Sequence, residues 1–213
     1  MVGVIDYDAG NVKSVMKAVE KLGAEPVLTS DPEVLDKCSS LILPGVGSFG
    51  KAIDNLKTRN LDIYIKEACG KGRLLLGICL GLQMLFDKSY EDGEWEGLGL
   101  IPGDVVRFGK DNDQNWNETL KIPHMGWNEL IKNRSDSITN GVNEGEFAYF
   151  VHSYYARPKD WHDVVFYADY SVKVPGVVRK ENVIGMQFHP EKSSHTGMKL
   201  LRNFLKEGEN IAD

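Results

Sequence analysis

Three residues of this chain have the types and setting of a nucleophile, a base and an orienting acid. Cys79 stands at the apex of the run Arg73 to Phe86, which reads Arg-Leu-Leu-Leu-Gly-Ile-Cys-Leu-Gly-Leu-Gln-Met-Leu-Phe. The run has the form of a strand, a tight turn and a helix. Gly77 and Gly81 fit the sharp turn, where a side chain at their spacing would crowd the backbone. A thiol at the head of a helix lies in a partial positive field that favours the thiolate, its nucleophilic form. Taken alone, Cys79 also reads as a buried packing cysteine. Far downstream, Val183 to Phe188 forms a strand-like run that leads into His189-Pro190-Glu191. Pro190 fixes its own φ and disfavours helix at His189. A histidine there can deprotonate a thiol, and a carboxylate two residues on can fix its tautomer. A lone His189 would more simply be a satisfied loop or core histidine; the set of three points to covalent nucleophilic catalysis.

The order of the three residues narrows the chemistry. An α/β-hydrolase runs nucleophile, acid, histidine, usually with serine in the elbow. Here the nucleophile is cysteine and the histidine precedes the acid. The local patterns of papain-like and caspase-like proteases are absent. Pro44-Gly45-Val46-Gly47 follows another apolar run, and its glycines leave backbone N–H groups free to approach a ligand, as an oxyanion hole requires. An ordinary turn would look the same. Gln83 lies four residues after Cys79 and so shares its helix face; its amide can bind a polar substrate or cap a local network. Glu91 sits in the acidic loop Asp87 to Glu96, placed to meet a substrate ammonium or simply to be solvated. Tyr149 to Tyr155 and Pro123 to Asn128 are rich in aromatics with histidine and suit a pocket rim or an interface. His124 and His152 lack a motif that would make them bases, so structural roles are expected for both.

The elements that must position these residues follow from periodicity. The first half alternates strands (Val2 to Asp6, Glu25 to Thr29, Ser40 to Leu43, Leu74 to Ile78) with helical patterns. One helical pattern has Val12, Val15, Met16, Val19 and Leu22 at helical spacing; the other is a helix region from about Lys51 to Ala68 carrying Ile53, Leu56, Ile63 and Ile65. Repeated strand–helix units predict an α/β fold with an open, mainly parallel sheet flanked by helices, and ligands bind at the carboxyl ends of such strands, where Cys79 falls. From Gly97 to Gly185 the texture changes to short strands, at Trp127 to Ile131, Phe147 to Val151, Val164 to Tyr170 and Val174 to Val178. Gly109 to Thr119 reads as an exposed hairpin or loop, and a last helix spans about Thr196 to Lys206. No repeat or linker divides the chain, so a single domain over residues 1–213 is expected.

Composition sets the remaining bounds. The chain has 213 residues, 42% hydrophobic and 26% charged, with net charge −6. This is an ordinary globular composition, and the acidic balance argues against a general nucleic-acid surface. Val2-Gly3-Val4-Ile5 opens directly on a strand pattern with no basic leader, and the longest apolar-rich run is too short to span a bilayer. A cytoplasmic protein with no membrane contact is the expectation. Cys38, Cys69 and Cys79 form neither a disulfide framework nor a zinc spacing; no metal or cofactor is expected.

Gly77-Ile78-Cys79-Leu80-Gly81-Leu82-Gln83 together with Phe188-His189-Pro190-Glu191 resembles the class I (triad) glutamine amidotransferases. Asp6-Tyr7 with Gly10-Asn11, Pro44 to Gly47, His124 to Asn128, Tyr149 to Tyr154 and His189 to Ser193 occur in order, and jointly they resemble the branch that serves as glutaminase subunit of imidazole glycerol phosphate synthase. The resemblance covers essentially the whole chain. It implies a flavodoxin-like fold with additional antiparallel strands, hydrolysis of L-glutamine, and delivery of ammonia to a TIM-barrel cyclase in a heterodimer of histidine biosynthesis. It implies Cys79, His189 and Glu191 as catalytic residues, with the Leu80 N–H and the Pro44-to-Gly47 turn, at Gly47, as oxyanion donors. Gly47, Gln83, Glu91, Ser153 and Tyr154 would recognise substrate, and Asn11, Trp127, Tyr149 and Lys192 would face the partner. The Asp8-Ala9 segment departs from what the family often carries before Gly10-Asn11. A paralogue with another ammonia acceptor, a non-catalytic module and a cysteine protease or isomerase are the competing readings.

Overall fold

The computed structural model describes residues 1–212, so the domain expected over 1–213 ends one residue outside the described residues. The chain runs β1 (Val2–Ile5), α1 (Val12–Lys21), β2 (Pro26–Thr29), α2 (Pro32–Leu35), β3 (Ser40–Leu43), α3 (Phe49–Thr58), α4 (Leu61–Gly70), β4 (Leu74–Ile78) and α5 (Leu80–Met84). It continues with β5 (Phe86–Ser89), β6 (Trp95–Glu96), β7 (Ile101–Arg107), β8 (His124–Glu129), β9 (Ile131–Lys132), β10 (Phe147–His152) and β11 (Tyr154–Pro158). The last elements are β12 (Val164–Tyr170), β13 (Val172–Lys180), β14 (Val183–Met186) and α6 (Ser194–Ala212).

The main sheet has the order β2-β1-β3-β4-β14-β13-β12-β9. From β2 to β14 neighbours are parallel; from β14 outward they are antiparallel. The parallel half buries both faces, which explains its continuous apolar runs. Alternate side chains go to opposite layers. Leu74, Leu76 and Ile78 pack with Val15 and Val19 of α1 and Leu201 and Phe204 of α6. Leu75 and Leu43 pack on the other face with Ile53 and Leu56 of α3 and Ile65 of α4.

The helix expected from Lys51 to Ala68 is two helices. Asn60 breaks it with φ of 56°, a left-handed conformation that asparagine tolerates better than most residues. The break resets the helical phase, so Ile63 is exposed rather than inward-facing. The strand expected over Trp127 to Ile131 begins at His124 and divides at Leu130, whose N–H bonds to the Glu146 carbonyl, so that Ile131 turns to pair with β12. Gly109 to Thr119 forms turns with no strand, anchored by Trp116 at 5.5 Å from Phe108. The last helix extends beyond the expected Lys206 to Ala212.

A second sheet, β11-β7-β5-β6, was not predicted from periodicity. Pro102 and Gly103 interrupt the alternation within β7, and β5 follows α5 with no helix breaker between them. β8 and β10 form a separate antiparallel ribbon.

The turn after β4 is the tightest point of the packing. A Cβ on Gly81 would run into the Leu43 carbonyl oxygen, and one on Gly77 would lie 2.6 Å from the Gly81 carbonyl oxygen. Both partners are backbone and cannot rotate away. Gly81→Ala is therefore expected to destabilise the fold by about 3 kcal/mol or more, read as a lower midpoint in urea unfolding; an unchanged midpoint would refute the close approach.

Candidate active site

β4 and β14 are parallel neighbours, with Ile78 opposite Met186. Their carboxyl ends therefore deliver Cys79 and the Gln187-Phe188-His189 segment to the same place. The Cys79 N–H donates to the Met186 carbonyl at 2.7 Å, joining the two strand ends. Cys79 has φ of 54° and ψ of −109°, a strained conformation for a residue with a side chain, of the kind that surrounding structure must impose. It turns the thiol out of the strand line, as the sequence motif predicted.

His189 is extended and heads a 3-10 turn over Pro190–Lys192. The turn is tied to the ribbon. The His189 N–H donates to the Tyr149 carbonyl at 3.2 Å. Ser193 Oγ donates to the His189 carbonyl at 2.7 Å and accepts from the Tyr149 N–H at 2.9 Å. Within the turn, His189 Nδ1 lies 2.9 Å from Glu191 Oε1. A carboxylate only accepts, so Nδ1 carries the proton and Nε2 is left for the sulfur. Asn11 Nδ2 donates to the same Glu191 oxygen at 2.9 Å. Asn11 can do so because it takes a left-handed turn, φ 63°, at the head of α1.

Burial of His189 disfavours its charged form, yet hydrogen bonding to Cys79 and Glu191 and the charges of both outweigh it and raise its pKa to about 9. The imidazolium is thus the resting form at neutral pH. Because the folded value exceeds the unfolded one, its contribution to stability is full below about pH 6.5 and is lost as the pH rises through about 9.

Cys79 and His189 border a cavity of about 370 Å³ lined by Val46, Gly47, Cys79, Leu80, Gln83, Glu91, Val151, His152, Ser153, Tyr154, His189 and Lys192, with Glu191 behind His189 and outside the lining. This is at the small end of ordinary ligand pockets, about 300–1,000 Å³. All residues expected to act on substrate line it. Gln83 Nε2 donates to the Tyr154 carbonyl at 2.8 Å and to Gln187 Oε1 at 3.2 Å. Both amide hydrogens are thereby used, leaving Gln83 Oε1 for a ligand. Glu91 Oε2 accepts from the Phe49 N–H at 2.9 Å, in the first turn of α3. Burial raises the Glu91 pKa, this hydrogen bond opposes the rise, and Asp92 adds to it.

The Pro44-to-Gly47 turn borders the cavity from the β3 side. Gly47 has φ of 106°, which favours glycine. Tyr7 lies buried beneath the turn and its hydroxyl donates to the Pro44 carbonyl at 2.5 Å. The Leu80 N–H is the first of α5, where helical N–H groups lack intrahelical acceptors. Both expected oxyanion donors therefore border the cavity holding the thiol.

Of the residues expected to face a partner, Trp127 is exposed and meets half-buried Tyr149 edge-on at 5.9 Å. Lys192 is exposed at the cavity rim. Asn11 is half-buried and holds Glu191 instead of lying fully open. Asp8 pairs with Arg59 of the Arg59-Asn60 break. Sequence reasoning missed Gln187 and Tyr7. Gln187 is fully buried, bonds Gln83, and sets Nε2 4.0 Å from Cys79 Sγ; a glutamine inside the apolar run Val183 to Phe188 was the available signal. Tyr7 entered only as part of the Asp6-Tyr7 marker of the resemblance, with no role attached to it.

The family model for class-I glutamine amidotransferases matches residues 3–207. The imidazole glycerol phosphate synthase subunit HisH of Bacillus velezensis is 50% identical over 206 residues, covering 97% of this chain and 96% of that protein. The same subunit of Bacillus subtilis is 50% identical with the same coverage, 97% and 96%. Among solved structures, PurLQS from Thermotoga maritima contains a chain similar in fold, with TM-score 0.73 and 23% identity over 97% of each chain.

Glu191→Gln keeps the shape of the acid and removes its charge. It is expected to lower the His189 pKa from about 9, measured by NMR titration of the imidazole. Turnover is expected to fall by about 10²-fold or more, within the range for general acid–base groups. A titration left at the wild-type value would show that Glu191 does not stabilise the imidazolium.

Proposed function

Because the chain belongs to the class-I glutamine amidotransferase family, and groups there with the HisH subunits of imidazole glycerol phosphate synthase, we propose a residue-by-residue mechanism for glutamine hydrolysis. The observation that carries it is the line Glu191–His189–Cys79 opening on a cavity of free-amino-acid size. Cys79 sulfur attacks the side-chain amide carbon of L-glutamine. Charge develops on the amide oxygen, where the Leu80 N–H and an N–H of the turn at Gly47 are placed to receive it. His189, an imidazolium held at Nδ1 by Glu191, gives its Nε2 proton to the departing ammonia. The γ-glutamyl thioester remains. Neutral His189 then takes a proton from water, whose oxygen attacks the thioester; the Cys79 thiolate leaves beside the restored imidazolium, and the acid product loses its proton to solvent as glutamate.

Recognition of a free amino acid needs groups for its ammonium and carboxylate. Gln83 Oε1 and the unbonded oxygen of Glu91 supply acceptors for the ammonium, while Ser153, the Tyr154 strand and the Gly47 turn border the remainder of the ligand. No cofactor or metal enters this scheme.

The chain acts as the glutaminase subunit and passes ammonia to a cyclase subunit. We take that partner to be a TIM-barrel protein, as the family resemblance implies, joining ammonia to N′-phosphoribulosyl-formimino-aminoimidazole-carboxamide ribonucleotide. The products are imidazole glycerol phosphate and aminoimidazole carboxamide ribonucleotide. Met125, Trp127 and Phe147 are large apolar side chains exposed together on the β8–β10 ribbon, beside the cavity rim. Such an aromatic cluster fits an interface core, with Tyr149 and Lys192 at its edge and Asn11 behind it. No helix of the described residues is long and apolar enough to cross a membrane, and substrates of this polarity fit a cytoplasmic setting.

Losing one oxyanion donor typically costs about 10²–10³ in turnover. Glutamate release by the purified chain is therefore expected to be slow alone and to rise about 10²-fold or more with the cyclase and its nucleotide, when the turn is set. Cys79→Ala is expected to abolish release while the complex still assembles on gel filtration. Trp127→Ala is expected to weaken assembly about tenfold or more, read by titration calorimetry. Glutamate release that ignores the cyclase and nucleotide would assign the chain to another ammonia acceptor.

A further inference from the structure

A buried polar chain runs from the β8–β10 ribbon to the glutamine cavity, and the triad mechanism uses none of its histidines. His124 is fully buried and His152 nearly so. His124 Nδ1 lies 3.1 Å from His152 Nε2, and His152 Nδ1 lies 2.8 Å from the Tyr154 carbonyl. At the other end, His124 Nε2 is 2.7 Å from the Asn128 carboxamide. The Tyr154 carbonyl that accepts from His152 also accepts from Gln83 Nε2.

The proton inventory fixes how this chain is polarised. A carbonyl only accepts, so His152 Nδ1 bears a proton and donates to Tyr154. A neutral His152 then accepts at Nε2, and His124 donates from Nδ1. Three hydrogen bonds join Asn128, His124, His152 and Tyr154, and two neutral rings bring one N–H each. The third proton comes from Asn128: its Oδ1 is placed facing His124 Nε2, and a half-turn exchange of oxygen and nitrogen presents the NH₂ there while giving up only the long 3.4 Å contact to the Asp169 carbonyl. Burial drives both rings to the neutral state: it lowers the His124 pKa, and with the neighbouring His124 charge it lowers that of His152 to about 3. Phe108 and Phe150 complete the enclosure, with centroids 5.3 and 5.8 Å from His152.

We propose that His124 and His152 are positioning residues for the hydrolysis: as a bonded pair they hold the Tyr154 carbonyl, and through it the Gln83 side chain, in the wall of the glutamine cavity. This rests on the glutaminase reading above. Both ring nitrogens of His152 are engaged by His124 and the Tyr154 carbonyl, and neither histidine is hydrogen-bonded to Cys79, so the effect of the pair falls on binding geometry before chemistry. His124 and Asn128 lie on the inner side of β8, whose outer side carries Met125 and Trp127. The pair thus sets the cavity wall against the same strand that presents the apolar partner face.

Steady-state glutaminase kinetics of the complex with cyclase and nucleotide test this. His152→Phe removes the donor to Tyr154 and is expected to raise KM for glutamine about tenfold, the scale of one lost buried hydrogen bond, with kcat within about threefold. His152→Asn restores a donor at the Nδ1 position and is expected to return KM to within about threefold of wild type. Imidazole ¹⁵N NMR of the full wild-type chain reads the tautomers without any variant, and both rings are expected neutral with the proton on Nδ1. A His152 proton on Nε2, or a folded His152→Phe with lower Tm and unchanged KM, would overturn the inference alone. No glutamate release from the wild-type complex would overturn the glutaminase reading and this inference with it.

Discussion

The site depends on the parallel pairing of β4 with β14. Gly77 lies opposite Gly185 and Ile78 opposite Met186, so a segment near residue 79 and one near residue 189 leave the sheet side by side. Glycine in both strands serves the same end. A Cβ on Gly185 would lie 2.8 Å from Leu82, the α5 residue that packs over it, just as one on Gly77 would meet the Gly81 backbone. α5 can therefore lie flat on the strand pair and hold Cys79 at the carboxyl end of β4. A one-residue slip in this register would send every β14 side chain to the opposite face and carry His189 away from the thiol.

The close fit sustains features that are unfavourable taken singly. Cys79 is held at positive φ, a conformation that costs about 1–3 kcal/mol. Glu191 has one oxygen engaged by His189 and Asn11, while Oε2 is buried without a protein partner among the described residues. A buried carboxylate of this kind is stable only because a cation faces it, and the raised His189 pKa is the other side of that relation. Helices on both faces of the sheet supply the apolar burial that offsets these costs.

The ribbon β8–β10 joins the two ends of the function. Tyr149, through its backbone, clamps the turn that carries His189, and its ring meets Trp127 on the exposed apolar face. Further along the same strand, His152 reaches the cavity wall. Any partner that seats on Met125, Trp127 and Phe147 would therefore contact an element bonded to the proposed base on one side and to the proposed substrate wall on the other. The Pro44-to-Gly47 turn differs from this. Its first two residues are held from below, Pro44 by the Tyr7 hydroxyl and Gly45 packed on Tyr7 and Leu80-Gly81, while Val46 and Gly47 are exposed at the rim, which leaves that part of the turn freer to respond.

The chemistry was legible in the sequence because it is local. The Gly77–Cys79–Gly81 spacing encodes a turn only glycine can make, and His189-Pro190-Glu191 places the proposed base and acid in one short segment, so each half needs no distant information. The strand–helix alternation was equally legible, since periodicity reports burial in regular elements. Asn60 hid a helix break because asparagine is compatible with both continuation and reversal, and Pro102 with Gly103 hid β7 by interrupting its alternation. What the tertiary structure alone decided is which polar groups become partners across long separations. Asn11 on Glu191, Gln187 on Gln83, Tyr7 under Pro44 and His124 on His152 are joined by strand order and register, and no local pattern records them. A residue's own type determines what it can donate or accept; only the folded sheet determines what stands within hydrogen-bond reach of it.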